Sequence, residues 1–235
     1  MKFIELKASL KNEIQSVYIL EGNDRFVIKN AIDLIDKRLG LSFPDVNKLQ
    51  FNDENKYTIE NILDSASCVP FGDLKKLIII WDTTLKTQDA QKFLDFIKKG
   101  GADTTIFIFA VTEANEFIKK IKTISTVVDC GKLDEVSLSR WIVANFSKNG
   151  VQIQEGAVKL LIEYCNSNLA RISSEVEKLS TIGVSVVTNV EIEKFVVPER
   201  EYQIYELTDA ISKNDKIKVF DIVETMLNHD KFQIG

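Results

Sequence analysis

Glu21-Gly22-Asn23-Asp24 is the stretch whose residue types and position could do chemistry. It follows the apolar run Val17-Tyr18-Ile19-Leu20 and precedes an amphipathic segment, so a strand, a glycine turn and a helix succeed one another. Backbone amides and the helix dipole converge at such a turn, and many α/β proteins hold phosphate there. A phosphate-cradling loop needs G-x-x-x-x-G-K-[ST]. Here Glu21 to Lys29 contain one glycine and no Lys-Ser or Lys-Thr pair, and Glu21 and Asp24 would repel a triphosphate. Asp82 follows the apolar run Leu77–Trp81, where a nucleotide-hydrolysing protein keeps its magnesium-linked carboxylate, but Thr83 rather than a glutamate comes next. The first stretch therefore reads as a tight turn with Asp24 as helix N-cap. The architecture suits a nucleotide fold, and the parts for nucleotide chemistry are missing.

Other reactive residues are few. Cys68, Cys130 and Cys165 form no C-x-x-C pair, and His229 is the sole histidine, so neither a structural zinc site nor a disulfide framework is expected. Free cysteines in apolar surroundings suit a reducing compartment. No nucleophile motif surrounds His229, which reads as a loop residue, and no metal or cofactor is expected. Thirty Lys and Arg against 35 Asp and Glu give a formal charge of −5, with both signs interspersed. A protein that grips DNA mainly through its own phosphate contacts is normally basic. Glu5 and Lys7 interrupt the apolar residues at the N-terminus, and no later segment reaches the roughly 18 apolar residues of a membrane span. The expectation is a cytoplasmic protein.

The elements that must position these residues can be read from periodicity. With 235 residues, 45% of them hydrophobic, the chain is long enough for one large or two modest domains. Ile28, Ala31, Ile32, Ile35 and Leu39 share a helical face that ends at Gly40. A short strand is expected at Lys48–Phe51, then a helix carrying Ile59, Ile62, Leu63 and Ala66 that stops at Val69-Pro70-Phe71-Gly72. Leu77–Trp81 is apolar throughout, as a strand covered on both faces would be, and is placed at the sheet's centre. Ala90, Phe93, Leu94 and Ile97 mark a third helix broken by Gly100-Gly101, and Thr105–Ala110 reads as another buried strand. A basic helix near Glu113–Lys122 and a strand near Thr126–Asp129 complete a mainly parallel α/β domain, residues 1–132.

From Leu133 onward apolar residues recur only at helical spacing, which places a small all-helical domain over 133–197. Leu138, Trp141 and Ile142 open it, Gly150 stops its first helix, and Thr188-Asn189-Val190-Glu191 has the spacing of a capping box. Trp81 and Trp141 sit in apolar periodic patterns and read as core aromatics. Amphipathic segments near Tyr202–Ser212 and Lys216–Asn228 follow Pro198, so 198–235 forms the beginning of a further helical domain.

The order of these features resembles the delta subunit of bacterial DNA polymerase III, which opens the sliding clamp within the clamp loader. The residues that carry the resemblance are Tyr18–Asp24, Val69-Pro70-Phe71-Gly72 before Leu77–Ile80, Leu138-Ser139-Arg140-Trp141-Ile142, and Asn168–Leu179. It covers nearly the whole chain, through the order and spacing of individually weak pieces. It implies an AAA+-like, P-loop-type α/β domain that has lost its phosphate loop, a lid-like helical domain, and a helical collar that joins a ring. Members usually carry a longer third domain than residues 198–235 allow, so a truncated collar is expected.

The resemblance also implies a function: binding and opening the sliding clamp for loading onto primed DNA during replication, without ATP hydrolysis by this chain. The implied partners are the clamp (beta subunit), the motor and delta-prime subunits of the loader, and DNA indirectly. The family's clamp-contacting apolar pair falls by position on Pro70 and Phe71. Pro70 stands where relatives can have a larger aliphatic residue, so Val69 and Leu74 are expected to share the contact. The residues alone leave a second reading open, in which Phe71 folds back into its own core. Lys119, Lys120 and Lys122 form a small basic cluster that could face DNA or be an ordinary solvated helix face. Two other functional readings stand beside this one, an ATP-using α/β enzyme with an atypical nucleotide site and a delta-prime-like stator subunit. The stator would carry zinc-spaced cysteines and a Ser-Arg-Cys finger, whereas here Ser139-Arg140 is followed by Trp141.

Overall fold

The computed structural model describes residues 1–52, 56–101, 103–213, 216, 218–220 and 222–224, with the backbone alone for 200–203. His229 and, of the segment expected over Lys216–Asn228, residues 217, 221 and 225–228 lie outside the described residues. The chain divides into two compact units, Met1–Lys132 and Leu133–Gly235.

The first unit is built on β1 (Val17–Glu21), β2 (Lys48–Phe51), β3 (Lys76–Trp81), β4 (Thr105–Val111) and β5 (Thr126–Asp129). All neighbours pair in parallel, in the order β2-β3-β4-β1-β5. Parallel strands need crossovers, and these are supplied by α2 (Arg25–Leu39), α4 (Ile59–Ser67), α5 (Thr87–Lys98) and α6 (Glu116–Ile121). One face of the sheet, including Ile19, Ile78, Phe107 and Phe109, packs on Ile59, Ile62, Phe93, Phe117 and Ile118 of the helices. Alternation sends Tyr18, Leu20, Ile79 and Ile108 to the other face, where they are equally buried. The sheet is thus covered on both sides, which is why its inner strands are continuous apolar runs.

The strand placed at the centre from sequence is not the central one. β4 holds that position, buried along its whole length, with β3 on one side and β1 on the other. Two helices were not expected: α1 (Phe3–Asn12), which buries Phe3, Leu6 and Leu10, and the single turn α3 (Pro44–Asn47). The basic helix is shorter than expected, and Lys122 falls in a 3₁₀ turn over Lys122–Ile124. The caps agree with the sequence. The Asp24 carboxylate accepts from the amides of Phe26 (2.9 Å) and Val27 (3.2 Å), and Gly40 ends α2 in the left-handed region at φ 63°.

The second unit contains α7 (Glu135–Lys148), α8 (Glu155–Tyr164), α9 (Leu169–Ser180), α10 (Asn189–Phe195) and α11 (Arg200–Ser212). Its core includes Leu138, Ile142, Phe146, Leu161, Ile172, Val176 and Leu179. Thr188 and Glu191 form the expected capping box, with the Thr188 amide 2.8 Å from Glu191 Oε2. The all-helical expectation needs one amendment, because β6 (Gln152–Ile153) and β7 (Val186–Val187) pair in parallel. Two residues per strand are too few to leave an alternating pattern in a sequence. Neither Trp81 nor Trp141 is a core aromatic, since both are only half-buried, and the Trp81 indole donates to Gln50 Oε1 at 3.3 Å. Among the described residues no helix is long and apolar enough to cross a membrane.

Candidate functional site

Two ends of the parallel sheet carry the residues singled out from sequence. At the C-terminal ends of the strands, where α/β folds of this kind bind ligands, lies the β1–α2 turn. Its groups are already committed to one another. Asp24 occupies first-turn amides of α2, Glu21 pairs with Lys122 at 2.6 Å, and Asp82 pairs with Arg25 at 2.6 Å. The Asp82 carboxylate also accepts from the Thr112 amide and hydroxyl, both at 3.3 Å, and its backbone is left-handed at φ 40°. Gly22 lies so close to the next strand that a Cβ there would stand 2.2 Å from the Cys130 carbonyl carbon. A triphosphate does not fit this set: amides it would need are capped by a carboxylate, and the one glycine is packed against backbone rather than open space.

At the N-terminal ends of the strands, residues 68–75 run from α4 into β3. Val69 is 86%, Phe71 61% and Leu74 92% exposed, so these three project into solvent. Pro70 does not join them, because its ring is buried, and its place is beneath the tip rather than on it. Phe71 does not fold back into the core. Its ring instead meets Phe43 edge to face, with centroids 5.3 Å apart and planes at 76°. Phe43 (45% exposed) extends the apolar surface onto the α2–α3 connection, and Val46 (57%) is exposed on α3.

Polar groups fix this loop pair from below. Asn47, 1% exposed, accepts from the Phe71 amide (2.9 Å) and donates through Nδ2 to the Phe71 carbonyl (2.8 Å) and to Asp73 Oδ2 (2.7 Å). Asp73 also accepts from the amides of Ser42 (2.9 Å) and Phe43 (3.1 Å). The Ser42 amide first, then Asn47 and the Phe43 amide, hold the Asp73 carboxyl below the usual aspartate range. Its folded pKa is depressed, so the stabilisation is present above the ordinary value and is lost as pH falls through the lowered one. Lys76 is buried at the start of β3 and donates to the carbonyls of Ser65 and Cys68, closing the C-terminal end of α4. Burial pulls its ammonium below the usual lysine pKa, partly offset by Cys68. Phe43, Asn47, Asp73 and Lys76 had no role in the sequence reading. The one available signal was Asp73 directly after Gly72, a turn pair with a side chain able to bond nearby amides.

The basic cluster is divided. Lys119 pairs with Glu116 at 2.7 Å and Lys122 with Glu21, while Lys120 is exposed. The thiols differ as sharply. Cys130 and Cys165 are buried, and burial pushes each up to about 12, whereas Cys68 is exposed beside Val69. A chromogenic disulfide reagent at pH 8 is therefore expected to consume one thiol rapidly in the native protein and all three in urea. Rapid reaction of two or three native thiols would show that one or both burial sites open readily.

A five-stranded parallel sheet in the order β2-β3-β4-β1-β5 with helices on both faces is an AAA+-like α/β fold. Residues 18–131, nearly the whole α/β unit, match the model of the family described as DNA polymerase III, delta subunit. A "Probable DNA polymerase III subunit delta" of Aquifex aeolicus is 19% identical over 91% of this chain and 64% of its own length. One of the same description from Mycoplasma genitalium is 26% identical over 66% of this chain and 58% of its own. The chain thus spans less than two thirds of either curated relative. The Bacillus subtilis DNA clamp loader delta protein superposes with a TM-score of 0.74 at 18% identity, over 97% of this chain and 72% of that one.

Proposed function

We propose that this chain is a clamp-loader delta subunit that binds and opens the sliding clamp for loading onto primed DNA. The role is that of a noncatalytic accessory subunit of the cytoplasmic replication machinery, working with the clamp, the motor subunits and the delta-prime subunit. The observation that carries it is the exposed apolar tip, Val69, Phe71 and Leu74, raised on one loop of a domain that matches the delta-subunit family model. Exposed apolar residues grouped in this way mark contact surfaces rather than chance exposure. Burying Phe71 in a partner's pocket would contribute about 1.5–3 kcal/mol. Preferential binding to the open ring is then sufficient to shift the clamp toward it, with no chemistry at the interface. ATP hydrolysis is assigned to neighbouring subunits, because in this chain the Arg25–Asp82 pair and the Asp24 cap take up the groups a nucleotide would need. Lys119 and Lys122 already face carboxylates, so the Lys119, Lys120 and Lys122 cluster does not offer three free charges to DNA.

The test is calorimetric or surface-based binding to the cognate clamp. The intact chain is expected to bind, and Phe71→Ala to bind at least tenfold more weakly, about 1.4 kcal/mol, with an unchanged melting curve. Equal binding by both proteins would move the contact away from Phe71. No binding by the intact chain would overturn the proposal.

A further inference from the structure

We propose that Asn47 is the positioning residue of the clamp-contacting surface, holding Phe71 and, through Asp73, the Phe43 loop so that two rings are offered as one preformed unit. The inference rests on the clamp reading for its partner, and its geometry stands independently. A loop phenylalanine exposed to 61% would ordinarily sample many directions. Here the backbone that bears it is fixed at both polar atoms by a single buried carboxamide, the Phe71 amide at 2.9 Å and its carbonyl at 2.8 Å. The same carboxamide reaches Asp73, which in turn fixes the Ser42 and Phe43 amides. One side chain therefore sets the spacing between two loops that are distant in sequence.

Gly72 is the second observation. It is left-handed at φ 67°, and a Cβ there would meet the Phe43 ring at 2.6 Å, so only glycine lets that ring lie against the turn. The Phe43–Phe71 edge-to-face contact is the product of the whole arrangement. On the clamp reading the occupant is an apolar pocket of the clamp that would take Phe71, and Phe43 belongs to the same exposed apolar surface because the two rings meet edge to face. Preformed placement lowers the ordering cost of binding, which is how a residue that never touches the partner can change affinity.

A double-mutant cycle with the clamp distinguishes positioning from general stability. Asn47→Ala is expected to weaken clamp binding about tenfold in the otherwise unchanged chain, and to have little further effect once Phe71 is alanine. Asp73→Ala, which breaks the clasp from its half-exposed side, is expected to do the same to a smaller degree and covers the case in which Asn47→Ala fails to fold. An equal loss in both backgrounds, or none in either, would overturn the proposal. If the intact chain does not bind the clamp, the functional reading fails separately. The positioning claim is then decided by NMR: loss of the Phe43–Phe71 ring contact in either variant supports it, and retention in both overturns it. Phe43→Ala is expected to weaken binding without disturbing the Asn47 to Phe71 hydrogen bonds.

Discussion

Phe93→Ala is expected to destabilise the α/β unit by about 3–5 kcal/mol, the usual cost of emptying a fully buried phenylalanine site. The ring is 0% exposed and stands between the sheet and α6. It meets Phe107 at 5.1 Å and Phe109 at 5.4 Å, both edge to face, and Phe117 at 6.1 Å. Phe107 and Phe109 are two residues apart on β4, so they share a face, and Phe93 fits between them from α5. Removing it leaves a cavity under the central strand, where rigid neighbours limit collapse, and forfeits aromatic contacts worth about 0.5–1.5 kcal/mol each beyond their buried area. Urea unfolding together with native-state amide exchange on β4 measures the loss. The same truncation at exposed Phe71 should change stability far less, which is what makes that variant usable in binding experiments. A Phe93→Ala protein as stable as its parent would mean that the core can repack around the missing ring.

The three inner strands were legible because a strand buried on both faces writes itself as an uninterrupted apolar run, and Val17–Leu20, Leu77–Ile80 and Ile106–Ala110 are such runs. Their lateral order was not legible, since β3 and β4 are equally apolar and only hydrogen-bond partners reveal that β4 is central. α1 escaped notice because its three buried residues are diluted by charged ones, and α3 because four residues cannot show a period. The same reasoning applies to the site. The candidate tip could be located from Val69-Pro70-Phe71-Gly72, but composition does not tell an exposed phenylalanine from a buried one, or show that Pro70 lies beneath the surface. Asn47 was invisible for a different reason: its partners are 24 and 26 residues away, and their approach exists only after the sheet has formed. Residues that position others across long sequence separations leave no local pattern, whereas caps such as Asp24 and Thr188, which act within three residues, do.

Gly22→Ala is the second substitution with a large expected effect, and it bears on how the crevice beside it is used. In α/β proteins that hold phosphate, a glycine after the first strand is kept for the close approach of the ligand. The structure supplies another reason. A Cβ at Gly22 would lie 2.2 Å from the Cys130 carbonyl carbon, 2.3 Å from its oxygen and 2.4 Å from the Gly131 amide nitrogen, all backbone atoms that no side-chain rotation can clear. The turn cannot simply swing away, because the Gly22 amide donates to the Val111 carbonyl at 3.0 Å and the Cys130 amide to the Glu21 carbonyl at 2.8 Å. Accommodation must come from β5, an edge strand paired to β1 over Tyr18–Glu21. Overpacking of this kind costs about 1–3 kcal/mol, sometimes more. The loss should appear as faster amide exchange in Thr126–Asp129. Gly40→Ala serves as the control, since Gly40 is left-handed at φ 63° with nothing within 4 Å of a new Cβ, so its strain is local and β5 exchange should not change. A neutral Gly22→Ala would imply a turn loose enough to lift off β5, and with it a crevice able to open toward a phosphate. A destabilised one ties the glycine to the closed turn, at an end of the sheet where Arg25 pairs with Asp82 and Lys122 with Glu21.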